Sequence, residues 1–304
     1  MENKKPNITK SWILASRPKT LMGALAPVVI ASALALNQLT LNWCIALICA
    51  LFAICMQIVA NFINDLVDFK KGSDRGDRLG PKRACAQGWI SAKSMLFGSI
   101  FMSVIASLLG LTLLFWGGWE LIVIGVSCIL FAFLYSTGPY PLSYYGFGDI
   151  LVLLFFGFVP VCTTYYLMCG NLSGDAWLMG AAIGIMTDAL LILNNYRDIE
   201  EDIKSGKRTI IVRMGKEFGY RCYFATGYIA LMLTFFTSGS HLTVLIVVLY
   251  LHTRASKQFR KIDEAYTMTR QEKGKALNKL LGQTALTIIL FAVAVAIDSV
   301  INYY

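Results

Sequence analysis

The chain has 304 residues, of which 57% are hydrophobic and 15% charged, and its mean hydropathy is +0.61. Soluble domains carry about a quarter charged residues, so an ordinary water-soluble globule is excluded, and so much apolar surface excludes disorder. The 27 Lys and Arg outnumber the 18 Asp and Glu by nine, a balance that would suggest nucleic acid in a soluble protein but follows from topology in a membrane protein.

Apolar runs long enough to cross a bilayer recur along the chain. In order, the pattern predicts nine membrane spans, at roughly 20–36, 42–63, 93–116, 120–137, 149–169, 177–195, 219–238, 242–259 and 276–298. The first run, with lysines before it and small residues at Ala31, Ala33 and Ala35, has the look of a signal peptide, but the eight runs behind it favour an uncleaved first helix. All 27 basic residues fall in four segments: before span one, and between spans two and three, six and seven, and eight and nine. These segments share one side of a nine-span chain, and the connections around Asn37–Asn42, Gly117–Glu120, Gly170–Asp175 and Ser238–His241 hold none. The separation predicts a cytoplasmic N-terminus, an outer C-terminus and no nucleic-acid partner. The eight cysteines lie mostly inside apolar runs, with no CxxC pair, and read as small buried hydrophobes. Gly180-x3-Gly184 reads as a close helix contact.

Two acidic segments are not explained by topology. Span two ends Asn61-Phe-Ile-Asn64-Asp65-Leu-Val-Asp68-Phe-Lys-Lys-Gly72-Ser-Asp74, and span six ends Asn194-Asn195-Tyr-Arg197-Asp198-Ile-Glu200-Glu201-Asp202-Ile-Lys-Ser-Gly206. If the helices continue, Asn61, Asp65 and Asp68 share one face and Asn195, Asp198 and Asp202 another. An even number of spans separates the two, so both emerge on the cytoplasmic side. Asn64-x3-Asp68-x3-Gly72 also aligns with Asp198-x3-Asp202-x3-Gly206, which suggests an internal duplication. Carboxylates crowded at helix C-termini oppose the macrodipole and need a cation. Neighbouring lysines could supply it, and Asp and Asn oxygens on facing helices also suit Mg²⁺. Basic residues follow each segment: Arg75, Arg78, Lys82 and Arg83, then Lys204, Lys207, Arg208 and Arg213. They suit the oxygens of a lipid diphosphate.

The paired Asp-rich segments resemble those of the UbiA superfamily of intramembrane prenyltransferases, and within it the 1,4-dihydroxy-2-naphthoate polyprenyltransferases of menaquinone synthesis. The residues carrying the resemblance are Arg17-Pro-Lys19-Thr-Leu21, Asn64-Asp65-x2-Asp68-Phe-Lys-Lys-Gly72-x-Asp74, Arg78-Leu-Gly-Pro81-x-Arg83, Gly138-Pro-x-Pro141-Leu through Gly148-Asp149, and Asn194-Asn195-x-Arg197-Asp198-x3-Asp202-x3-Gly206-Lys-Arg-Thr209. They run from residue 17 to about 215. The commoner first motif has a third acid where this chain has Gly72, so Asp74 is assigned its place. The benzoate branch has basic residues where 136–147 has none, which favours naphthoate over 4-hydroxybenzoate.

The resemblance implies a single all-α transmembrane domain, residues 1–304. About nine helices would surround a central cavity, with cytoplasmic lid loops at about 64–92 and 196–218, in a bacterial inner or plasma membrane. It implies transfer of a polyprenyl group from polyprenyl diphosphate to 1,4-dihydroxy-2-naphthoate, with loss of its carboxylate to give demethylmenaquinol. Mg²⁺ would be the cofactor and the lipid bilayer a partner. Asn64, Asp68, Asp74, Asp198 and Asp202 are the expected metal ligands, with Asp65, Asp68, Asp198 and Asp202 acting in catalysis. Arg75, Arg78, Lys82, Arg83, Lys204, Lys207 and Arg208 are expected on the diphosphate. Arg17, Lys19, Tyr140, Asp149 and Asn195 are expected at the aromatic acid. Asp188 is expected in the cavity, since an intramembrane carboxylate is costly and usually functional or paired, and Asp298 at the outer interface. A secondary transporter is the alternative from another class.

Overall fold

The computed structural model describes residues 6–72 and 79–303, so Asp74, Arg75 and Arg78 lie outside the described residues. The described chain is helical: α1 Ile8–Ser16, α2 Pro18–Asn37, α3 Trp43–Lys70, α4 Ala92–Gly117, α5 Glu120–Leu134, α6 Gly148–Leu153, α7 Val159–Cys169, α8 Gly174–Arg197, α9 Ile199–Lys204, α10 Ile210–Met214, α11 Lys216–Thr234, α12 Leu242–Val247, α13 Thr253–Asp263 and α14 Arg270–Tyr303. Single π turns at Leu154–Phe158 and Val248–His252 join α6 to α7 and α12 to α13.

Side-chain caps open several of the helices. Asn42 accepts from the Cys44 and Ile45 amides to open α3, Ser91 accepts from Ser94 to open α4, and Ser173 accepts from Ala176 to open α8. Arg17 precedes Pro18, whose ring disfavours a helical conformation before it. The chain therefore turns at Arg17 in a left-handed conformation (φ +50°) and α2 begins on the proline.

Among the described residues, six helices are long and apolar enough to cross a membrane: Pro18–Asn37, Trp43–Lys70, Ala92–Gly117, Gly148–Cys169, Gly174–Arg197 and Arg270–Asn302. Glu120–Leu134 is apolar but shorter. The predicted spans at 219–238 and 242–259 correspond to helical segments that do not meet this standard, because residues 216–223 and 253–263 are polar. Among the described residues, six of the nine expected spans meet this standard, and the other three are helical but shorter or less apolar, so length and hydropathy alone do not confirm the count of nine.

Helices α2, α8 and α14 are the most buried, at 56%, 61% and 56% of their apolar windows, against 22% for α3 and 17% for α4. Helix α2 packs on α14 and α7, α8 on α11 and the π turn before α7, and α3 on α4. The interior cluster joins Ala26 and Ile30 of α2, Ile183 and Met186 of α8, and Ile288 and Phe291 of α14. The outer surface of α4 and α5 exposes Phe101, Phe115, Trp119, Val123 and Val126, as expected of side chains that face lipid. Trp43, Trp119 and Trp177, all at least half exposed, stand at the helix ends opposite the basic loops, where amphipathic rings favour a membrane interface.

Candidate active site

An open chamber of about 320 Å³ lies between α2, α3, α4, α5, α7 and α8. Its lining is graded. Arg17, Thr20, Gln57, Asn61, Asn64, Tyr135 and Asn194 stand at the end that carries the acidic segments, and Val28, Cys49, Leu113, Leu121 and Phe155 line the remainder. Asn61 donates to the Ser16 carbonyl (2.9 Å) and to Thr20 (3.0 Å), tying α3 to the α1–α2 turn. Gln57 donates to Thr20 (3.2 Å) and to Asn61 (3.3 Å). Its Oε1, and Thr187 Oγ1 on the opposite wall, are buried without a protein partner. Buried polar atoms are normally satisfied, so both are open to the polar part of a ligand.

The first acidic segment belongs to α3, which runs unbroken to Lys70. Asp68 is 8% exposed and accepts from Arg83 (2.7 Å). Asn64 accepts from the Ser136 hydroxyl. Asp65 has another role. Its two oxygens accept from the Ala84 (2.8 Å) and Cys85 (3.0 Å) amides, so it anchors the 82–90 loop and does not line the chamber.

The second segment is not one helix. Helix α8 ends at Arg197 and α9 starts at Ile199, leaving Asp198 at a one-residue break, so the face expected for Asn195, Asp198 and Asp202 is rotated there. Arg197, 5% exposed, clamps Asp198 through Nε (2.7 Å) and Nη2 (2.6 Å). Its Nη1 donates to Asn278 of α14 (2.7 Å), which donates to the Leu79 carbonyl (2.7 Å). Asp202 is 5% exposed and its Oδ1 lies 3.4 Å from Lys207 Nζ. Gly72 (φ +65°) and Gly206 (φ +75°) end their helices in the same left-handed conformation.

The two segments converge. Burial pulls the Lys207 ammonium down, but the carboxylates of Asp202 and then Asp68 more than offset it, so its proton is held more tightly than usual. Tyr135, on the chamber wall, is within electrostatic reach of Asp149, Asp202, Asp188 and Asp68. Tyr144, in the loop between α5 and α6, lies beneath Lys71 (4.1 Å) and Lys207 (5.3 Å) and accepts from the Arg208 amide at its carbonyl (2.7 Å). Arg213 donates to the Tyr145 carbonyl (2.9 Å). The 135–147 loop is therefore held between the two acidic segments.

Among the described residues no group of three or more His, Cys, Asp and Glu is close enough to hold a metal ion. Asp68 instead pairs with Arg83, Asp198 with Arg197 and Asp202 with Lys207. The donor set fits a hard dication nonetheless: Asn64, Asp68 and Asp202 offer only oxygen, and Lys207 marks a place where positive charge is already favoured by two carboxylates.

Several expected site residues sit elsewhere. Tyr140 is 71% exposed and packs at a tilt against Tyr145, because its loop carries it outward. Lys19 lies against Gly282 of α14 and not on the chamber wall. Asn194, not its neighbour Asn195, lines the chamber. Lys82, Lys204 and Arg208 are exposed beside the acidic segments. Asp298 is 2% exposed and accepts from the Thr243 (3.0 Å) and Val244 (3.1 Å) amides as the cap of α12. Sequence reasoning missed Arg197 as a clamp, Tyr144 as a cation platform, and Gln57 and Thr187. The Tyr144-Tyr145-Gly146 turn and the intramembrane polarity of Gln57 were the available signals.

A multi-helix membrane chamber, polar at the end beside the two acidic segments and apolar beyond, has the character of a site for an amphiphile at the membrane face. The UbiA prenyltransferase family profile matches residues 24–275. The chain is similar to 1,4-dihydroxy-2-naphthoate octaprenyltransferase of Haemophilus influenzae, 39% identical over 70% of this chain and 72% of the relative. It is similar to that of Mycobacterium leprae as well, 31% identical over 94% of each. Its fold is that of a UbiA homologue from Archaeoglobus fulgidus bound to GPP and Mg²⁺, with TM-score 0.67 and 13% identity over 94% of this chain and 99% of the other. The chain belongs to the UbiA prenyltransferase family. It is a multi-pass integral membrane enzyme, an aromatic prenyltransferase.

Proposed function

We propose that this enzyme transfers a polyprenyl group from polyprenyl diphosphate to 1,4-dihydroxy-2-naphthoate, in a Mg²⁺-dependent reaction that also removes the acceptor's carboxylate and yields demethylmenaquinol. The observation carrying this reading is the meeting of the two acidic segments over Tyr144, where Lys71 at the end of the first and Lys207, paired with Asp202 of the second, share one ring beside an apolar chamber whose wall includes Asn64. The N-terminus and the chamber mouth are cytoplasmic in this reading, following the basic loops. The relatives named for the naphthoate reaction, and the absence of basic residues in 136–147, support this acceptor over 4-hydroxybenzoate.

Asn64, Asp68, Asp198 and Asp202 would hold Mg²⁺, which supplies Lewis acidity to diphosphate oxygens. Arg83, Lys207 and Arg208 would bind the same oxygens, so that positive charge is in place before the bridging C–O bond breaks and its electron pair leaves with diphosphate. Arg83 and Lys207 already rest on Asp68 and Asp202, so binding exchanges their partners and does not draw them in from solvent. The prenyl tail would lie along Val28, Leu113 and Phe155, where water is excluded and the allylic carbon escapes hydrolysis. Gln57 Oε1 and Thr187 Oγ1 would meet the acceptor's hydroxyls, and Arg17 its carboxylate. The acceptor ring would then form its new carbon–carbon bond at the freed allylic terminus, and the ring recovers its aromaticity as the bond to the carboxylate breaks and carbon dioxide leaves.

The test supplies membranes holding the enzyme with labelled polyprenyl diphosphate and either naphthoate or benzoate acceptor, with Mg²⁺ or a chelator, and identifies products by mass. Prenylated, decarboxylated naphthoate formed only with the metal is expected. Product from benzoate alone would replace the acceptor. Solute flux in proteoliposomes without any prenyl transfer would favour a transporter.

A further inference from the structure

A second concave surface lies outside the chamber, on the segment formed by α12, the Val248–His252 π turn and α13. A groove of about 500 Å³ there is lined by Leu249, Tyr250, Arg254, Lys257 and Lys261, among others. Positions 250, 254, 257 and 261 follow i, i+4, i+3, i+4 spacing, so they form one stripe along the helix. The opposite face is the packed one: Ala255, Phe259 and Ile262 are buried against α11 and α14. None of the groove residues lines the chamber.

The charges of this stripe are unbalanced. The neighbouring acids are engaged elsewhere: Glu217 and Glu264 with Arg260 (2.9 and 2.5 Å), and Asp263 with the Tyr196 hydroxyl. Among the described residues Arg254, Lys257 and Lys261 have no carboxylate partner, and all three are exposed. One turn away on the same face, Leu249 is 49% and Tyr250 62% exposed. A cytoplasmic bias of basic residues accounts for cations on this side of the membrane. It does not account for three of them on one helix face, over a groove whose other end is aliphatic and aromatic. That arrangement is amphiphilic in the same sense as a phospholipid, with an anion at one end and hydrocarbon at the other.

We propose that this groove binds an anionic phospholipid, with the headgroup phosphate on Arg254, Lys257 and Lys261 and the acyl chains along Leu249 and Tyr250. The site is separate from the prenyl-transfer chamber and does not depend on how that chamber works.

The experiment uses the full-length protein purified in neutral detergent and titrated with phosphatidylglycerol or phosphatidylcholine, with bound lipid counted by native mass spectrometry. The wild type is expected to prefer phosphatidylglycerol, and salt to weaken that preference. Each cation near such a headgroup is worth about fivefold in affinity, so the triple Arg254→Ala, Lys257→Ala, Lys261→Ala variant should lose about a hundredfold. Lys93→Ala removes an exposed cation from the start of α4, on the same side, and should change nothing. If the triple variant fails to fold by circular dichroism, the single Lys257→Glu change, expected to weaken binding more than Lys257→Ala, carries the test. Equal binding of the two lipids, or unchanged binding by the variants, would overturn the proposal. Displacement of the lipid by equimolar inorganic phosphate would also overturn it, by assigning the groove to a free anion.

Discussion

Asp65 and Asp68 sit three residues apart and do different things. Asp65 spends both oxygens on backbone amides of the 82–90 loop, whereas Asp68 faces a side-chain cation. Asp65→Ala should therefore act as a stability variant. It strands two amides, at about 1–3 kcal/mol for each buried group left unsatisfied, and should lower the melting temperature and admit protease to the 82–90 loop. Asp68→Asn keeps the shape and should still insert and purify, yet lose Mg²⁺-dependent transfer; normal turnover would remove Asp68 from the mechanism, and the same holds for Asp202→Asn. The spacing of the two acidic segments was legible in the sequence because i, i+3 and i+4 positions share a helix face. The division of labour between Asp65 and Asp68 was not, since it depends on where a loop 19 and 20 residues downstream folds back.

Among the elements, the apolar runs marked the helical segments well. Span ends shifted by a few residues, as where α3 runs to Lys70 and carries the first motif on a continuous helix. Helix α1 escaped notice because it is short and half polar, although Asn7 caps it by accepting from Lys10 (2.8 Å). The π turns leave no periodic signal at all. The one before α7 sits where α6 and α7 pass closest to α8. A Cβ on Gly157 would stand 2.4 Å from the Gly180 carbonyl, and one on Gly184 would stand 3.0 Å from the Leu153 carbonyl. Backbone cannot yield as a side chain can, so Gly157→Ala should destabilise by about 1–3 kcal/mol, the usual cost of overpacking. Thermal unfolding in detergent would measure it, with Gly125→Ala, whose Cβ meets nothing within 4 Å, as the neutral comparison.

Taken whole, the molecule places its tightest packing on α2, α8 and α14 and leaves α3, α4 and α5 comparatively unburied. The chamber lies between these two parts, so its width on the α5 side is set by small residues such as Gly125 and Cys128. Gly125→Phe would project a ring into that space. It should raise KM for long prenyl donors while leaving short ones nearly unaffected, as read from product masses with donors of graded length. A uniform loss for all donors would show that the ring disturbs the acidic end as well.

One contact bears on how the protein is made. Asn278 joins Arg197, which holds Asp198, to the carbonyl of Leu79 in the loop after the first motif. It belongs to α14, which leaves the ribosome after every other part of the site. A nascent chain stalled before α14 would thus own all its acidic side chains and still lack the tie between their two loops, so competence for chemistry should arrive late and abruptly during biosynthesis.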